Sequence, residues 1–318
     1  MTPAASHLDD NALLELLILL RQHGYRHITV TPATHARVLA QRSNARSLAD
    51  VFGWNMTFAP QVLPEEILAV MRRAGILLER DGLAKSLLRV SSLDDALLLH
   101  SGYPTEAEDA VFFGPDTYRF VRFMQDAVER HPLPPQARIL DIGCGSGAGG
   151  LALARHGARP VLNDINPLAL RLAAVNARAA GIAAEFLEGD GTADRGGEFD
   201  CIIANPPYLV DASERTYRHG GSRLGRELSV RIAESALRRL APGGRLLLYT
   251  GVAIVDGVDG FLEEMRMLLD EAGCAWRYTE IDPDVFGEEL EQAAYHDADR
   301  IAAVGLEAVR AQRCAVMG

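Results

Sequence analysis

The pattern of apolar and polar positions divides the chain in two. Up to about residue 100, apolar residues fall in short stretches at helical spacing, each with its own start and stop signals. Asp9, Asp10 and Asn11 offer caps before "ALLELLILLRQHG", and Gly24 supplies a stop. Thr31 followed by Pro32 opens "TPATHARVLAQR", and Pro64 with Gly75 brackets "LPEEILAVMRRAG". "GILLERDGLAKSLLRV" sets Asp81 and Gly82 between two apolar-rich segments, which predicts a hairpin. Helices followed by a hairpin loosely resemble a winged-helix module. From about Ala137 the pattern changes to unbroken apolar runs, "RILDIG", "RPVLND", "FDCIIAN" and "GRLLLYTG", separated by Ala- and Leu-rich helical stretches. Strands buried on both faces lose alternation, so this half is expected to be a doubly wound, mostly parallel sheet covered by helices. The boundary is placed near residue 106, giving an N-terminal α+β domain over residues 1–106 and an α/β domain over 107–318.

Composition adds limits. With 318 residues, 48% hydrophobic and 24% charged, the chain can build a core of ordinary size for each part. A formal charge of −11 argues against wholesale coating of nucleic acid, yet Arg21, Arg26, Arg37, Arg42 and Arg46 occupy a stretch without a single acid. That stretch is either a nucleic-acid-facing patch or an ordinary solvated face. Cys144, Cys201, Cys274 and Cys314 are far apart and form no C-x-x-C pair, so neither a disulfide framework nor a zinc site is predicted, and a cytoplasmic setting is expected. His23 and His27 are separated by the helix-breaking Gly24, and no metal is expected. The run Ala12 to Leu20 contains Glu15 and is shorter than the roughly 20 residues of a membrane span, so neither an anchor nor a signal peptide is expected.

The chemistry is carried by strand ends. "RILDIGCGSGAGG" passes from strand to helix through Gly143, Gly145 and Gly147, which permit a tight turn and a close approach to a ligand at a helix N-terminus. Gly143-x-Gly145-x-x-Ala148 also satisfies the loose dinucleotide pattern, so a nicotinamide oxidoreductase stays open at this point. The acids weigh against it. Asp141, directly before the loop, suits an ammonium group and would repel a pyrophosphate. Asp164 ends the next strand and suits two ribose hydroxyls, and Asp190, in "FLEGDG", suits an adenine amine or caps a turn. Three acids at successive strand ends describe an amino-acid-bearing nucleoside.

On these residues, roughly positions 110 to 318 resemble the class I S-adenosylmethionine methyltransferases. The resemblance implies a Rossmann-like sheet of seven strands with an antiparallel last strand, for which "RIAAVGLEAV" is the candidate. It also implies S-adenosylmethionine as cofactor, with Asp141, Gly143, Cys144, Gly145 and Gly147 in the loop, Asp164 and Ile165 at the ribose, and Asp190 and Gly191 on the adenine side.

"FDCIIANPPYLV" ends a buried strand in an amide, two prolines and a tyrosine. The prolines make the turn extended and rigid. "NPPY" resembles the motif of methyltransferases that modify planar nitrogen, in nucleobase enzymes and in the HemK/PrmC glutamine methyltransferases. An amide or aniline-like nitrogen is a poor nucleophile because its lone pair is delocalised. The Asn205 side-chain oxygen and the Pro206 carbonyl are suited to accept its two N–H groups, Pro207 stiffens them, and Tyr208 is expected to lie against the planar target. "VFFGPDTYRFV" resembles the "PRPDTE" segment of the HemK/PrmC group through Pro115, Asp116 and Thr117, with Gly114 and Tyr118 departing from it. Thr117 is therefore expected near the cofactor, and Pro115, Asp116 and Tyr118 near the substrate. The substrate is expected to be a macromolecule, either a protein glutamine or RNA/DNA, and the N-terminal domain is expected to recruit it. A non-catalytic module built on the same fold is the other reading. "DASERTYRHGGSRLGRE" is expected to be a loop over the site, with Arg215, Arg218 and Arg223 available to phosphates and Gly220 and Gly221 as a hinge.

Overall fold

The computed structural model describes residues 8–105, 107–192, 197–209, 220–222 and 224–312. In the N-terminal part, α1 (Asp10–Gln22) starts where the Asp9 carboxylate accepts from the Asn11 and Ala12 amides, and Gly24 follows it in the left-handed region. Helix α2 (Pro32–Gln41) is capped by the Thr31 hydroxyl, and a π-helical turn (Ala49–Gly53) and α3 (Glu65–Arg73) follow. Strands β1 (Leu77–Arg80) and β2 (Leu83–Ser86) form the anticipated hairpin, with Asp81 and Gly82 both at positive φ. A second hairpin, β3 (Leu88–Leu93) and β4 (Ala96–Ser101), was not anticipated. Every position of both strands is buried, so they carry no alternation to read.

The second part contains α4 (Pro115–Arg130), β5 (Arg138–Ile142), α5 (Ala148–Ala154), β6 (Arg159–Asp164), α6 (Pro167–Ala180) and β7 (Glu185–Glu188). It continues with β8 (Phe199–Ala204), α7 (Glu227–Arg239), β9 (Leu240–Val255), β10 (Val258–Asp259), α8 (Gly260–Glu271), β11 (Ala275–Asp282) and β12 (Arg300–Val309). The sheet runs β11-β12-β9-β8-β5-β6-β7, with the short β10 paired to β9. Strands β5 to β9 pair in parallel along this path, and β12 lies antiparallel between β9 and β11. This is the expected doubly wound α/β architecture, and β12 is the "RIAAVGLEAV" segment. The order reverses at β5, between β6 on one side and β8 on the other, and a crevice opens at the carboxyl ends of these strands.

Two apolar clusters cover the faces of the sheet. A third joins α1, α3 and the hairpins, and extends onto Leu168, Ala169, Leu172 and Val175 of α6, so the N-terminal part and the sheet part share that helix as a wall. Polar contacts fasten the same joint. The buried Asn176 side chain accepts from the Leu99 amide at 2.9 Å and donates to the Leu99 carbonyl at 3.1 Å, and Arg171 Nε reaches Asp10 at 2.6 Å.

Candidate active site

A cavity of about 360 Å³ lies at the carboxyl ends of β5, β6 and β8. Its floor is the glycine loop. Gly143, Gly145 and Gly147 have φ of 68°, 53° and 82°, values that penalise any residue with a Cβ. The loop is tied to β6 by Asp164, whose Oδ2 accepts from the Gly145 amide and whose Oδ1 accepts from the Asn166 amide, both at 2.9 Å. Burial raises the Asp164 carboxyl above the ordinary carboxylate range, and these amides pull it back. Asp141 is buried, accepts from the Gly150 amide at 2.7 Å and has no cation beside it among the described residues. Desolvation pushes its carboxyl up to about 7.

Asn205, Pro206 and Pro207 open onto the same cavity, together with Thr117, Cys144, Ile165 and Asp190. The Asn205 side chain makes no hydrogen bond among the described residues, so its oxygen is free for a ligand. Thr117 Oγ accepts from the Gly114 amide at 3.2 Å and starts α4. Asp190 accepts from the amide and the hydroxyl of Thr192, at 3.0 and 2.9 Å, and so caps a turn while facing the cavity.

Other expected site residues are placed elsewhere. Tyr208 is buried behind the prolines instead of on the cavity wall. Its hydroxyl donates to Asp116 Oδ2 at 2.6 Å, and its ring covers Gly251 so closely that a Cβ there would lie 2.2 Å away. Asp116 also accepts from the Tyr249 hydroxyl at 2.8 Å and from Arg119 at 3.1 Å, and Arg119 in turn pairs with Asp282 at 2.9 Å. Burial and the Asp116 charge raise the Tyr208 hydroxyl well above its ordinary pKa, so it stays a donor. Asp116 is therefore an anchor for the turn and not part of the cavity lining, and Pro115 is not in the lining either. Tyr118 points away, its hydroxyl accepting from the Thr29 amide at 3.1 Å. Gly147 and Gly191 pack structure: a Cβ on Gly147 would meet Ala173 at 3.3 Å, and one on Gly191 would lie 2.4 Å from Ile142. Gly220, expected as a hinge with Gly221, is closely packed at the end of this stretch. Its amide donates to the Leu209 carbonyl at 2.8 Å, and a Cβ would lie 2.0 Å from the Gly225 carbonyl oxygen. Arg215, Arg218 and Arg223 lie outside the described residues.

The cavity also has walls that the sequence did not announce. Leu228, Arg231 and Ile232 of α7 close one side, and Ala110, Val111 and Phe112 close another. In "RELSVRIAESALRR" an arginine that borders the cavity reads like any charge on an amphipathic helix. The lining residue Asn163 donates to the Leu187 and Gly189 carbonyls, while its buried Oδ1 accepts nothing.

Residues 122–252 match the family described as methyltransferase small domain. That stretch is similar to the family, and with the relatives below it supports a class I S-adenosylmethionine methyltransferase of the HemK/PrmC-like kind. A release factor glutamine methyltransferase of Deinococcus radiodurans is 37% identical over 125 residues, 35% of this chain and 44% of that protein. One of Rhodospirillum rubrum is 37% identical over 161 residues, 48% of this chain and 49% of that protein. A ribosomal RNA small subunit methyltransferase C of Chromohalobacter salexigens is 33% identical over 140 residues, 44% of this chain and 37% of that protein. The chain spans about half the length of the curated relatives it matches. The cavity lining offers three acceptors: a buried carboxylate without a counter-charge at Asp141, a strand-end carboxylate at Asp164, and an unsatisfied amide oxygen at Asn163. Among the described residues no helix is long and apolar enough to cross a membrane, and no group of three or more His, Cys, Asp or Glu is placed to hold a metal.

Proposed function

We propose that the protein binds S-adenosylmethionine in this cavity and methylates a planar amide or exocyclic amine nitrogen of a macromolecule. The observation that carries this reading is the free Asn205 amide and the rigid Pro206-Pro207 turn, opening on the same cavity as the glycine loop and Asp164. Release factor glutamine and ribosomal RNA methyltransferases among the relatives support both target nitrogens.

When bound, S-adenosylmethionine supplies a methyl group activated by a sulfonium. Asp164 is assigned to the ribose hydroxyls and Asp141 to the ammonium group. The Asn205 oxygen and the Pro206 carbonyl accept the two hydrogens of the target nitrogen, drawing it toward tetrahedral geometry. Its lone pair then forms the N–C bond as the S–C bond breaks. The surplus proton leaves to solvent once the nitrogen has lost its conjugation. Tyr208 acts from behind: with its hydroxyl on Asp116 it keeps the proline turn in register. The N-terminal domain is assigned to recruitment of the macromolecule.

The test is transfer of a tritiated methyl group to cell extract treated beforehand with nuclease or with protease. Label lost with one treatment names the substrate class. No label in any fraction, with S-adenosylmethionine bound stoichiometrically, would mean a binding module without turnover.

A further inference from the structure

Asn176 sits fully buried in α6, one turn beyond Leu172 and Ala173, which face the N-terminal core and the core of the sheet respectively. A carboxamide buried between two apolar cores is destabilising unless its polar groups are met. Both N–H groups and the oxygen are met here. Oδ1 accepts from the Leu99 amide at 2.9 Å, while Nδ2 donates to the Leu99 carbonyl at 3.1 Å and to the Ser146 carbonyl at 2.9 Å. Leu99 belongs to β4, which among the described residues pairs with β3 alone. The carboxamide therefore bonds the open edge of β4 as a neighbouring peptide group would, and its remaining N–H goes to the glycine loop.

Ser146 stands between Gly145 and Gly147, at φ of 53° and 82°, is 2% exposed and lines the cavity. Glycine loses more backbone freedom on ordering than any other residue, so a loop of this composition keeps one shape only where it is tied. Three ties to neighbouring elements hold it. The Cys144 amide donates to the Asn163 carbonyl at 2.9 Å, the Gly145 amide donates to Asp164 at 2.9 Å, and the Ser146 carbonyl accepts from Asn176. The first two come from β6, inside the sheet. The third is itself held by the N-terminal part, through Leu99. Strand β4 braces the cavity at a second point: the Ser101 amide donates to the Val111 carbonyl at 3.1 Å, its hydroxyl accepts the Val111 amide at 2.8 Å, and Val111 lines the cavity.

We infer that Asn176 is a positioning residue for S-adenosylmethionine: anchored on β4, it holds the Ser146 segment of the glycine loop in the shape that receives the cofactor. The N-terminal part then belongs to the cofactor site as well as to recruitment of the macromolecule. A loop that the ligand must order first weakens binding by the cost of that ordering, and a loop set in advance by Asn176 does not. This inference rests on the proposed binding of S-adenosylmethionine in the cavity.

The experiment uses the full chain. Calorimetry of S-adenosylmethionine is carried out on the wild type, Asn176→Ala, Asn176→Ser and Ile67→Ala, well below the melting temperature of each. Ile67 is buried in α3 within the N-terminal core and is not in the cavity lining, so its variant reports lost stability alone. Asn176→Ala is expected to bind about 10-fold more weakly, the effect of losing one buried hydrogen bond and stranding its partner. Asn176→Ser, whose hydroxyl donates to one carbonyl only, should fall between it and the wild type, and Ile67→Ala should melt lower yet bind as the wild type does. Hydrogen exchange on the wild type adds a readout that needs no variant. S-adenosylmethionine should slow the Leu99 amide, which donates to Asn176, more than the equally buried Met71 amide of α3, which senses the ligand only through global stability. Wild-type affinity in both Asn176 variants, an equal loss in Ile67→Ala, or no more protection at Leu99 than at Met71 each overturns the inference while the cofactor reading stands. Wild type that takes up no S-adenosylmethionine refutes the cofactor reading and this inference together.

Discussion

Asp116 is where the proline turn is most open to a single change. Its buried carboxylate accepts from Tyr208 at 2.6 Å, Tyr249 at 2.8 Å and Arg119 at 3.1 Å. Asp116→Ala removes all three bonds and leaves two buried phenols without an acceptor. Each bond to a charged acceptor is worth about 1.5–3 kcal/mol and each stranded phenol costs about 1–3 kcal/mol, but these overlap and do not add. Arg119 keeps Asp282, so the variant is not left with a bare buried charge. The expected net loss is about 3–5 kcal/mol, the range for removing one member of a buried ionic network. Asp116→Asn keeps the volume and one acceptor oxygen, and should lose only about 1–2 kcal/mol. Tyr208→Phe breaks one of the three bonds and leaves its ring on Gly251. A double-mutant cycle of Asp116→Asn with Tyr208→Phe should therefore show coupling, of about 1 kcal/mol or more, since the two residues share a bond. Urea unfolding gives the free energies, with an unchanged slope showing that the same surface is exposed. Asp116→Ala within about 0.5 kcal/mol of wild type would refute the anchoring argument, because a surface carboxylate behaves that way.

Four further outcomes are expected. Asp164→Ala should abolish S-adenosylmethionine binding in calorimetry, and should also lower the melting temperature because it frees the Gly145 and Asn166 amides; unchanged binding refutes the ribose assignment. Asn205→Ala should slow single-turnover methyl transfer by ~10²- to 10³-fold with a far smaller change in cofactor affinity; near-normal rates would reduce the proline turn to architecture. Asp141 has a folded-state pKa of about 7 against an ordinary 3.8, so between these values the folded chain holds a proton that the unfolded chain has lost. Its contribution to stability is thus highest below about pH 4, declines as pH rises to about 7 and levels off above that, and Asp141→Asn should flatten that slope in melts recorded across the range. Gly251→Ala would place a methyl group 2.2 Å from the Tyr208 ring, so it should cost about 1–3 kcal/mol and cut turnover, and a variant that does neither shows that the ring moves freely.

The sequence by itself determined the sheet and the strand ends that line its crevice. Parallel strands buried on both faces must be apolar runs, and a loop that holds φ positive three times in five residues must use glycine, so Gly143, Gly145, Gly147 and the acids at 141 and 164 were legible without coordinates. The antiparallel β12 was legible through family resemblance. Proline stiffness likewise marked the end of β8. What the tertiary structure alone decided is where side chains point. Tyr208 turns from the cavity to an acid 92 residues earlier in the chain, and Tyr118 turns to Thr29 across the joint between the two parts. The second hairpin was hidden because both its strands are buried at every position, and α6 was not seen to serve two cores because an Ala- and Leu-rich helix looks the same whether one side or two are covered. The physical reason is common to all of these. Local sequence sets backbone conformation through short-range sterics and hydrogen bonds, whereas the direction of a polar side chain is set by the one partner that satisfies it after burial, and that partner comes from anywhere in the chain.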